Sequence, residues 1–447
     1  MSVEEGADAS VEETPDALAT FRQFFSLERD VLVLSLAMFA FSLGFQMTNR
    51  FIPEYMEILG ATAFIVGIYG TFGNVIGAVF PYYGGIVSDR LGSRLSLTVF
   101  GLLSTVGFVV WIGAWYAPAI GLGAFVLEPW IWVFAGLLLA QAWKSFGLGA
   151  TFAIVKQSVP PERLARGFAS TETFRRTAFL IGPLLVAYLV ADQLIPGFLY
   201  VMIIAAAFGL VATVAQHLLY DASADSIGKQ FQGLGQIGRD LREMPPELRP
   251  LLVGDTLVRF ANGMVYIFFI FVITQLLEIG LTLSIPTPGE AFAVSLSPAA
   301  FFGVLLGVEM LIALLVMAPA ARAAEFVGLK YVVATGFAVY AIFPVLLIFA
   351  PANAAVLVAL FAFSGLRFAG LPAHKALIVG PAERGTGGRV TGSYYLVRNT
   401  IVIPSAALGG ALWQWVSPEV AFALASAIGV VGTLYFLAFG REFAAYA

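Results

Sequence analysis

The chain has 447 residues, of which 60% are hydrophobic and only 12% charged, with a mean hydropathy of +0.90. That balance excludes a soluble globular protein of this length and places the chain in a membrane. The sequence has no cysteine, which removes disulfides and thiolate metal sites.

The first stretch, "MSVEEGADASVEETPDA", is acidic and lacks the basic start and apolar core of a cleavable signal, so residues 1–30 read as a disordered cytoplasmic tail. From Val31 onward, apolar runs recur at the roughly 20-residue length that one helix needs to cross a bilayer core. They are rich in Leu, Gly and Ala and lack the strict alternation of membrane strands, so the expected fold is an all-α polytopic membrane protein. We read twelve transmembrane helices, at 31–55, 63–87, 95–115, 130–154, 168–191, 194–219, 252–277, 298–320, 331–350, 353–375, 391–414 and 418–440. Most of the 24 Lys and Arg residues then fall on the side of the N-terminus, while the opposite loops carry Glu54, Glu57, Glu128, Asp192, Glu278, Glu290 and Glu419. Positive charge is retained in short cytoplasmic loops, so both termini are expected in the cytoplasm and the chain in the cell membrane.

In span one, Gln46, Asn49 and Arg50 share a helical face just before Pro53, either as a polar lining or as a cap at the outer end. Spans four, five, seven, ten and eleven hold the cations Lys144, Arg175, Arg176, Arg259, Arg367 and Arg398, against the acids Glu172, Asp255 and Glu309. A charge facing lipid at mid-bilayer costs at least about 2.5–3.5 kcal/mol, so these groups are expected to face a wet cavity or a partner. Glu172 stands three and four residues before Arg175 and Arg176, and Asp255 stands four before Arg259, so local ion pairs compete with ligand roles. Glu309 has no partner on its own helix and is the first candidate for a proton-carrying group, with a structural pairing to Lys144 or Arg259 as the alternative.

Residues 221–250 form the longest polar stretch after the tail and divide a six-helix bundle at 31–220 from another at 251–447. Within this linker, Ile227, Phe231, Leu234, Ile237 and Leu241 make one apolar stripe, as in a helix lying on the membrane surface. The halves also echo each other: "AFIVGIYG" at 63–70 recurs as "AFFGVLLG" at 300–307, and "KSFG" before "PPER" recurs as "RFAG" before "PAER". Lys144 then corresponds to Arg367 and, more loosely, Arg176 to Arg398, which favours Arg176 over Arg175 as a cavity residue. Paired repeats moving about a central site are the usual build of secondary transporters.

The stretch "GGIVSDRLGSR" between spans two and three is the most specific in the chain, and it resembles the signature of the major facilitator superfamily at Gly85, Asp89, Arg90, Gly92 and Arg94. Its second-half equivalent, "ARAAEFVGLK", keeps Glu325, Gly328 and Lys330. The resemblance implies two pseudo-symmetric six-helix bundles that rock about a midplane cavity, with this motif latching the cytoplasmic side. "KSFGLGA" around Lys144 resembles the helix-four motif of that family with lysine at the basic position, and Gly182-Pro183 matches the core of its antiporter motif.

No nucleotide-binding P-loop, GxSxG or HExxH is present, and His217 and His374 lie in different halves at helix ends, so an enzyme, a metal site or a cofactor is not expected. The expected partners are a small-molecule solute, protons or another coupling ion, and the lipid bilayer; no nucleic acid is expected, and the protein is expected to be a monomer. The surplus of intramembrane cations favours an anionic solute held by Lys144, Arg176, Arg367, Arg398, Gln46, Asn49 and Arg50, with Glu309, Asp255 and Arg259 as coupling groups. A proton-driven exporter of amphipathic compounds is the competing transport reading. A sensor or scaffold without transport is the reading from another class, and it predicts that every intramembrane charge is paired and that no central pocket exists.

Overall fold

Backbone inside a bilayer finds no water, so the apolar runs satisfy their peptide groups as helices. The computed structural model describes residues 29–122, 125–147, 151, 154, 164–221, 244–286, 291–379 and 387–442. The tail up to residue 28 and the linker stripe within 222–243 lie outside the described residues. The first half contains α1 (Arg29–Thr48), α2 (Ile52–Ile58), α3 (Ala63–Leu91), α4 (Ser93–Tyr116), α5 (Ile131–Ala140), α6 (Leu164–Leu189) and α7 (Leu194–Leu219). The second contains α8 (Arg249–Val265), α9 (Pro298–Val327), α10 (Leu329–Ile348), α11 (Ala354–Gly365), α12 (Leu371–Val379), α13 (Gly387–Val402), α14 (Ser405–Trp415) and α15 (Pro418–Phe439).

Among the described residues, nine helices are long and apolar enough to cross a membrane. The remaining expected spans are also helical, but one of them, Ile131–Phe146, is short, α6 carries Arg175 and Arg176, and the eleventh breaks between α13 and α14. Two features depart from the sequence reading. The first spanning helix stops at Thr48, and a separate short helix, α2, carries Glu54 and Glu57. Two hairpins also occur outside the spans: β1 (Ile120–Leu122) pairs antiparallel with β2 (Phe125–Leu127), and β3 (Leu281–Pro286) with β4 (Ala291–Leu296). The alternating stretch "LTLSIP…AFAVSL" suits a strand pair, a signal masked by the surrounding apolar background.

The repeat read in the sequence is carried into packing. In the first half α1 and α4 both pack on α7, and in the second α8 and α10 both pack on α15. Gly92 ends α3 with φ 82° and Gly328 ends α9 with φ 90°, so the two signature loops turn by the same left-handed glycine, a conformation costly for any other residue. The halves meet along two seams, α3 on α14 and α6 on α9. At the first seam a Cβ on Gly67 would stand 2.5 Å from the Ala406 carbonyl oxygen and 3.0 Å from the Gly410 Cα, so small residues are what permit the close approach. The outward faces stay apolar, with Val211 67%, Leu315 62% and Val431 58% exposed, which fits lipid and not water as the surrounding medium.

At the end of the bundle away from the termini, several contacts clamp one half to the other. Ser297 Oγ donates to the Val190 carbonyl at 2.9 Å, and its backbone N–H donates to that of Ala191 at 2.7 Å. Phe51 meets Phe302 edge-on at 5.7 Å, Thr274 reaches Glu54 at 2.7 Å, and Gln275 bonds Glu57. We call this the distal end.

Candidate substrate cavity

Between the halves lies a cavity of about 350 Å³. Its first-half wall is built by Asn49, Arg50, Tyr69, Asn74, Gln141 and Lys144, and its second-half wall by Arg259, Asn262, Tyr266, Arg398 and Asn399. Several of these side chains sit where a helix departs from α geometry. Asn49 and Arg50 occupy the break between α1 and α2, which Pro53 enforces on its C-terminal side. Lys144 lies in a π-helical turn, Ala142–Phe146, that continues α5. That turn shifts the backbone pairing, and Ser104 from α4 repairs it by donating to the Ala140 carbonyl and accepting from the Trp143 N–H, both at 2.8 Å. Tyr266 opens a 3₁₀ turn, Tyr266–Phe268, after α8. Broken helices of this kind supply polar groups at the centre of transporter folds.

The second-half charges are organised around carboxylates. Asp255 is fully buried; its Oδ1 lies 3.3 Å from Arg259 Nε, and its Oδ2 lies 3.1 Å from Arg398 Nη1, 3.1 Å from His374 Nε2 and 3.1 Å from the Tyr394 hydroxyl, which donates to it. Arg259 also donates to the Tyr340 hydroxyl at 2.9 Å, and Arg398 donates twice to Asn399 Oδ1, at 3.1 and 2.9 Å. A second pair stands apart: Glu309 Oε1 lies 2.5 Å from Arg367 Nη2 and accepts from Ser364 at 2.6 Å.

The first-half cations are held differently. The Arg50 guanidinium, 6% exposed, stacks 3.6 Å above the Tyr266 ring and reaches the Tyr266 carbonyl at 3.5 Å, while its Nη2 is buried with no hydrogen-bond partner. Lys144 is exposed to the cavity, with Nζ 5.5 Å from the Phe45 ring and no carboxylate within salt-bridge reach among the described residues. Lys144 also lines a smaller cavity of about 80 Å³ with Gln46, Arg175, Phe45, Trp143 and Phe179.

The structure therefore gathers Asn49, Arg50, Lys144, Arg259 and Arg398 at one cavity and puts Gln46 at the smaller one. Two expected cavity residues lie elsewhere. Arg176 lines neither cavity: it reaches the Met317 sulfur at 3.4 Å across the α6–α9 seam. Neighbouring residues project about 100° apart on a helix, and it is Arg175 that lines the smaller cavity. Arg367 lines neither cavity because Glu309 holds it, and that pairing is also the partner Glu309 lacked on its own helix. Glu172 lies outside the residues whose side chains are described, as do Gly85 and Asp89 of the signature. Of the other signature residues, Arg90 is exposed and Arg94 Nε donates to the His217 carbonyl at 2.7 Å, tying the start of α4 to the end of α7. Gly182 packs against Gln46 on α1, and the Pro183 carbonyl lies 2.7 Å from where a Cβ on Gly303 would stand, so Pro183 helps build the α6–α9 seam.

His374, Tyr394 and Tyr266 were missed by sequence reasoning. His374 is buried against Asp255, although helix-end placement was the sequence expectation. Outside the spans, burial pushes the Glu54 carboxyl up to about 7, and the hydrogen bond from Thr274 offsets only part of that. Burial also raises Glu57, opposed by its bond with Gln275.

Apolar passes in two related bundles around a charged central cavity define a multi-pass membrane transporter and not an enzyme. The chain belongs to the Major Facilitator Superfamily, whose family model matches residues 34–308. No curated protein matches the sequence. Among solved structures, a point mutant of the nucleoside transporter NupG superposes with TM-score 0.70 at 13% identity, covering 92% of this chain and 100% of that one. A POT family transporter in complex with 5-aminolevulinic acid gives 0.69 at 14% identity, over 93% of this chain and 99% of that one. The human organic anion transporter MFSD10 (TETRAN) gives 0.59 at 14%, over 91% and 99%. At such identities these likenesses establish the fold.

Proposed function

We propose that the chain carries a small organic anion across the cytoplasmic membrane by alternating access, its two halves rocking about the central cavity, with transport coupled to protons. The observation that carries this reading is the lining: Arg50, Lys144, Arg259 and Arg398 face the cavity, and no carboxylate does among the described residues. With both termini in the cytoplasm, the clamped distal end is the outer gate, and the structure is the state closed to the outside. An anion entering the cavity competes with Asp255 for Arg259 and Arg398. A carboxylate that loses its cations in a buried site takes up a proton more readily, so Asp255 with His374 is the coupling group. Glu309, held by Arg367 and Ser364, serves as a separate fixed pair.

The exporter reading draws on the smaller cavity, where Phe45, Trp143 and Phe179 would suit an apolar substituent. The sensor reading is disfavoured by a central cavity and by the unpartnered Arg50 Nη2. Thermal stabilisation of the detergent-purified protein by a panel of organic anions and lipophilic cations decides among them, because a ligand that binds only the folded state raises Tm. Stabilisation by anions, lost in Lys144→Ala, together with anion uptake into proteoliposomes driven by an imposed pH gradient, is expected. Stabilisation by lipophilic cations alone would move the assignment to export of amphipathic compounds.

A further inference from the structure

Resting on the anion reading above, the geometry points to a narrower substrate class: a doubly charged organic acid whose carbon body carries several hydroxyl groups, about the size of a single sugar. Three observations meet here. The first is charge. Among the described residues, four cations line the cavity, and the one carboxylate that touches any of them, Asp255, is shared by Arg259 and Arg398. Arg50 and Lys144 have no carboxylate within salt-bridge distance among the described residues, and the acid acting on Arg50, Glu309, is already held by Arg367. A single negative charge therefore leaves part of the cavity unbalanced, whereas two charges can engage both walls, one on the first-half cations and one on the second-half arginines.

The second is the set of neutral polar groups. The carboxamides of Asn49, Gln141 and Asn262 line the cavity and make no hydrogen bond within the described protein, and the Tyr69 hydroxyl is buried without a partner. A carboxamide both donates and accepts, as does a phenol, so their natural complement is a group that does both. Hydroxyls meet that requirement. A methylene chain displaces the water that otherwise serves these groups and returns nothing, which costs affinity. The third is size: about 350 Å³ stands at the lower end of ligand pockets, roughly 300–1,000 Å³, which fits a sugar-sized solute better than a lipid or a large drug.

The test is a series of six-carbon compounds that differ only in charge and hydroxylation, titrated calorimetrically into the full-length protein in detergent at neutral pH and fixed ionic strength. Sorbitol is neutral and hydroxylated, gluconate carries one charge, glucarate carries two, and adipate carries two without hydroxyls. Glucarate is expected to bind tightest, gluconate and adipate each roughly tenfold or more weaker, and sorbitol without measurable heat. Asn262→Ala should bring glucarate and adipate together while preserving the ratio of glucarate to gluconate; Asn49→Ala is the second variant should the first not fold.

Equal binding of adipate and glucarate would overturn the hydroxyl assignment, and equal binding of gluconate and glucarate the double charge. Both results leave the anion reading intact. Sorbitol binding as tightly as glucarate overturns both readings. Silence across the whole series overturns the narrower class, and the broader anion panel then tells whether the anion reading survives.

Discussion

The two walls of the cavity hold their cations in opposite ways. On the second-half wall, Arg259 and Arg398 share Asp255, and behind the wall Arg367 is paired with Glu309. On the first-half wall, Arg50 lies over an aromatic ring and Lys144 points into the cavity, with no acid touching either among the described residues. A buried cation with a fixed counter-ion is part of the scaffold. The asymmetry separates a wall whose cavity cations are anchored on a shared carboxylate from a wall whose cavity cations touch no described carboxylate, and under the anion reading the second is where the solute's charge counts most.

The sharpest way to break this comparison is to remove the acid from the anchored side. Asp255→Ala leaves Arg259, Arg398 and His374 around a buried void, and deleting one partner of a buried ion pair costs about 3–5 kcal/mol. A pronounced fall in Tm of the purified protein is expected, with Asp255→Asn falling less because the amide still accepts a hydrogen bond. A Tm unchanged in both variants would show that the second half does not depend on its carboxylate, and the contrast between the walls would collapse.

On the other side the expected pattern reverses. Lys144→Ala removes a cation that no described carboxylate touches, so Tm without ligand should stay level or rise, while affinity for the anion falls by about 1.5–3 kcal/mol, the worth of a charge-assisted bond. Calorimetric titration alongside the melting curve reads both. A smaller change is expected from Ser364→Ala, which takes one of the two bonds from Glu309 but leaves Arg367 in place, a loss of about 1 kcal/mol visible in Tm and not in anion affinity.

Much of this was legible in the chain. Among the described residues, apolar run length gave nine of the spans as long apolar helices, and the repeat of Gly92 in Gly328 anticipated two loops that turn alike. The i, i+4 spacing of Asp255 and Arg259 gave one ion pair directly. What sequence spacing cannot supply is proximity between helices. Arg367 matches Lys144 in the repeat, yet α9 brings Glu309 against one, while no described carboxylate stands beside the other. Rotation about a helix axis is equally hidden where two arginines are adjacent, and so the cavity role passed from Arg176 to Arg175. The breaks that aim Lys144 and Tyr266 left no proline or glycine signal inside them to be read.

The smallest expected effect tests whether the distal clamp is a third kind of region, one set by pH. Glu54 on α2 belongs to the first half and Thr274 to the second, with 2.7 Å between them. The Thr274 hydroxyl has one hydrogen and two acceptors within reach, Glu54 Oε2 and the Ile270 carbonyl at 3.0 Å. The hydroxyl donates to the ionised carboxylate and so offsets part of the cost of burying it, while burial itself favours the neutral acid. Burial holds its carboxyl at about 7, above the ordinary 4.5 of an unfolded chain, so the folded state favours the neutral form. The stabilising contribution is complete below the unfolded value and is lost as pH rises through the folded one. The melting temperature of the wild type should therefore decline from about pH 4.5 to about pH 7 and level off above that, and Glu54→Gln, which keeps a donor facing Thr274 and cannot ionise, should flatten that decline. Glu57 is raised in the same direction, so Glu57→Gln serves as the comparison and should leave most of the slope in place. A slope identical in wild type and Glu54→Gln would assign the pH response to groups away from the clamp and return the distal end to the fixed scaffold.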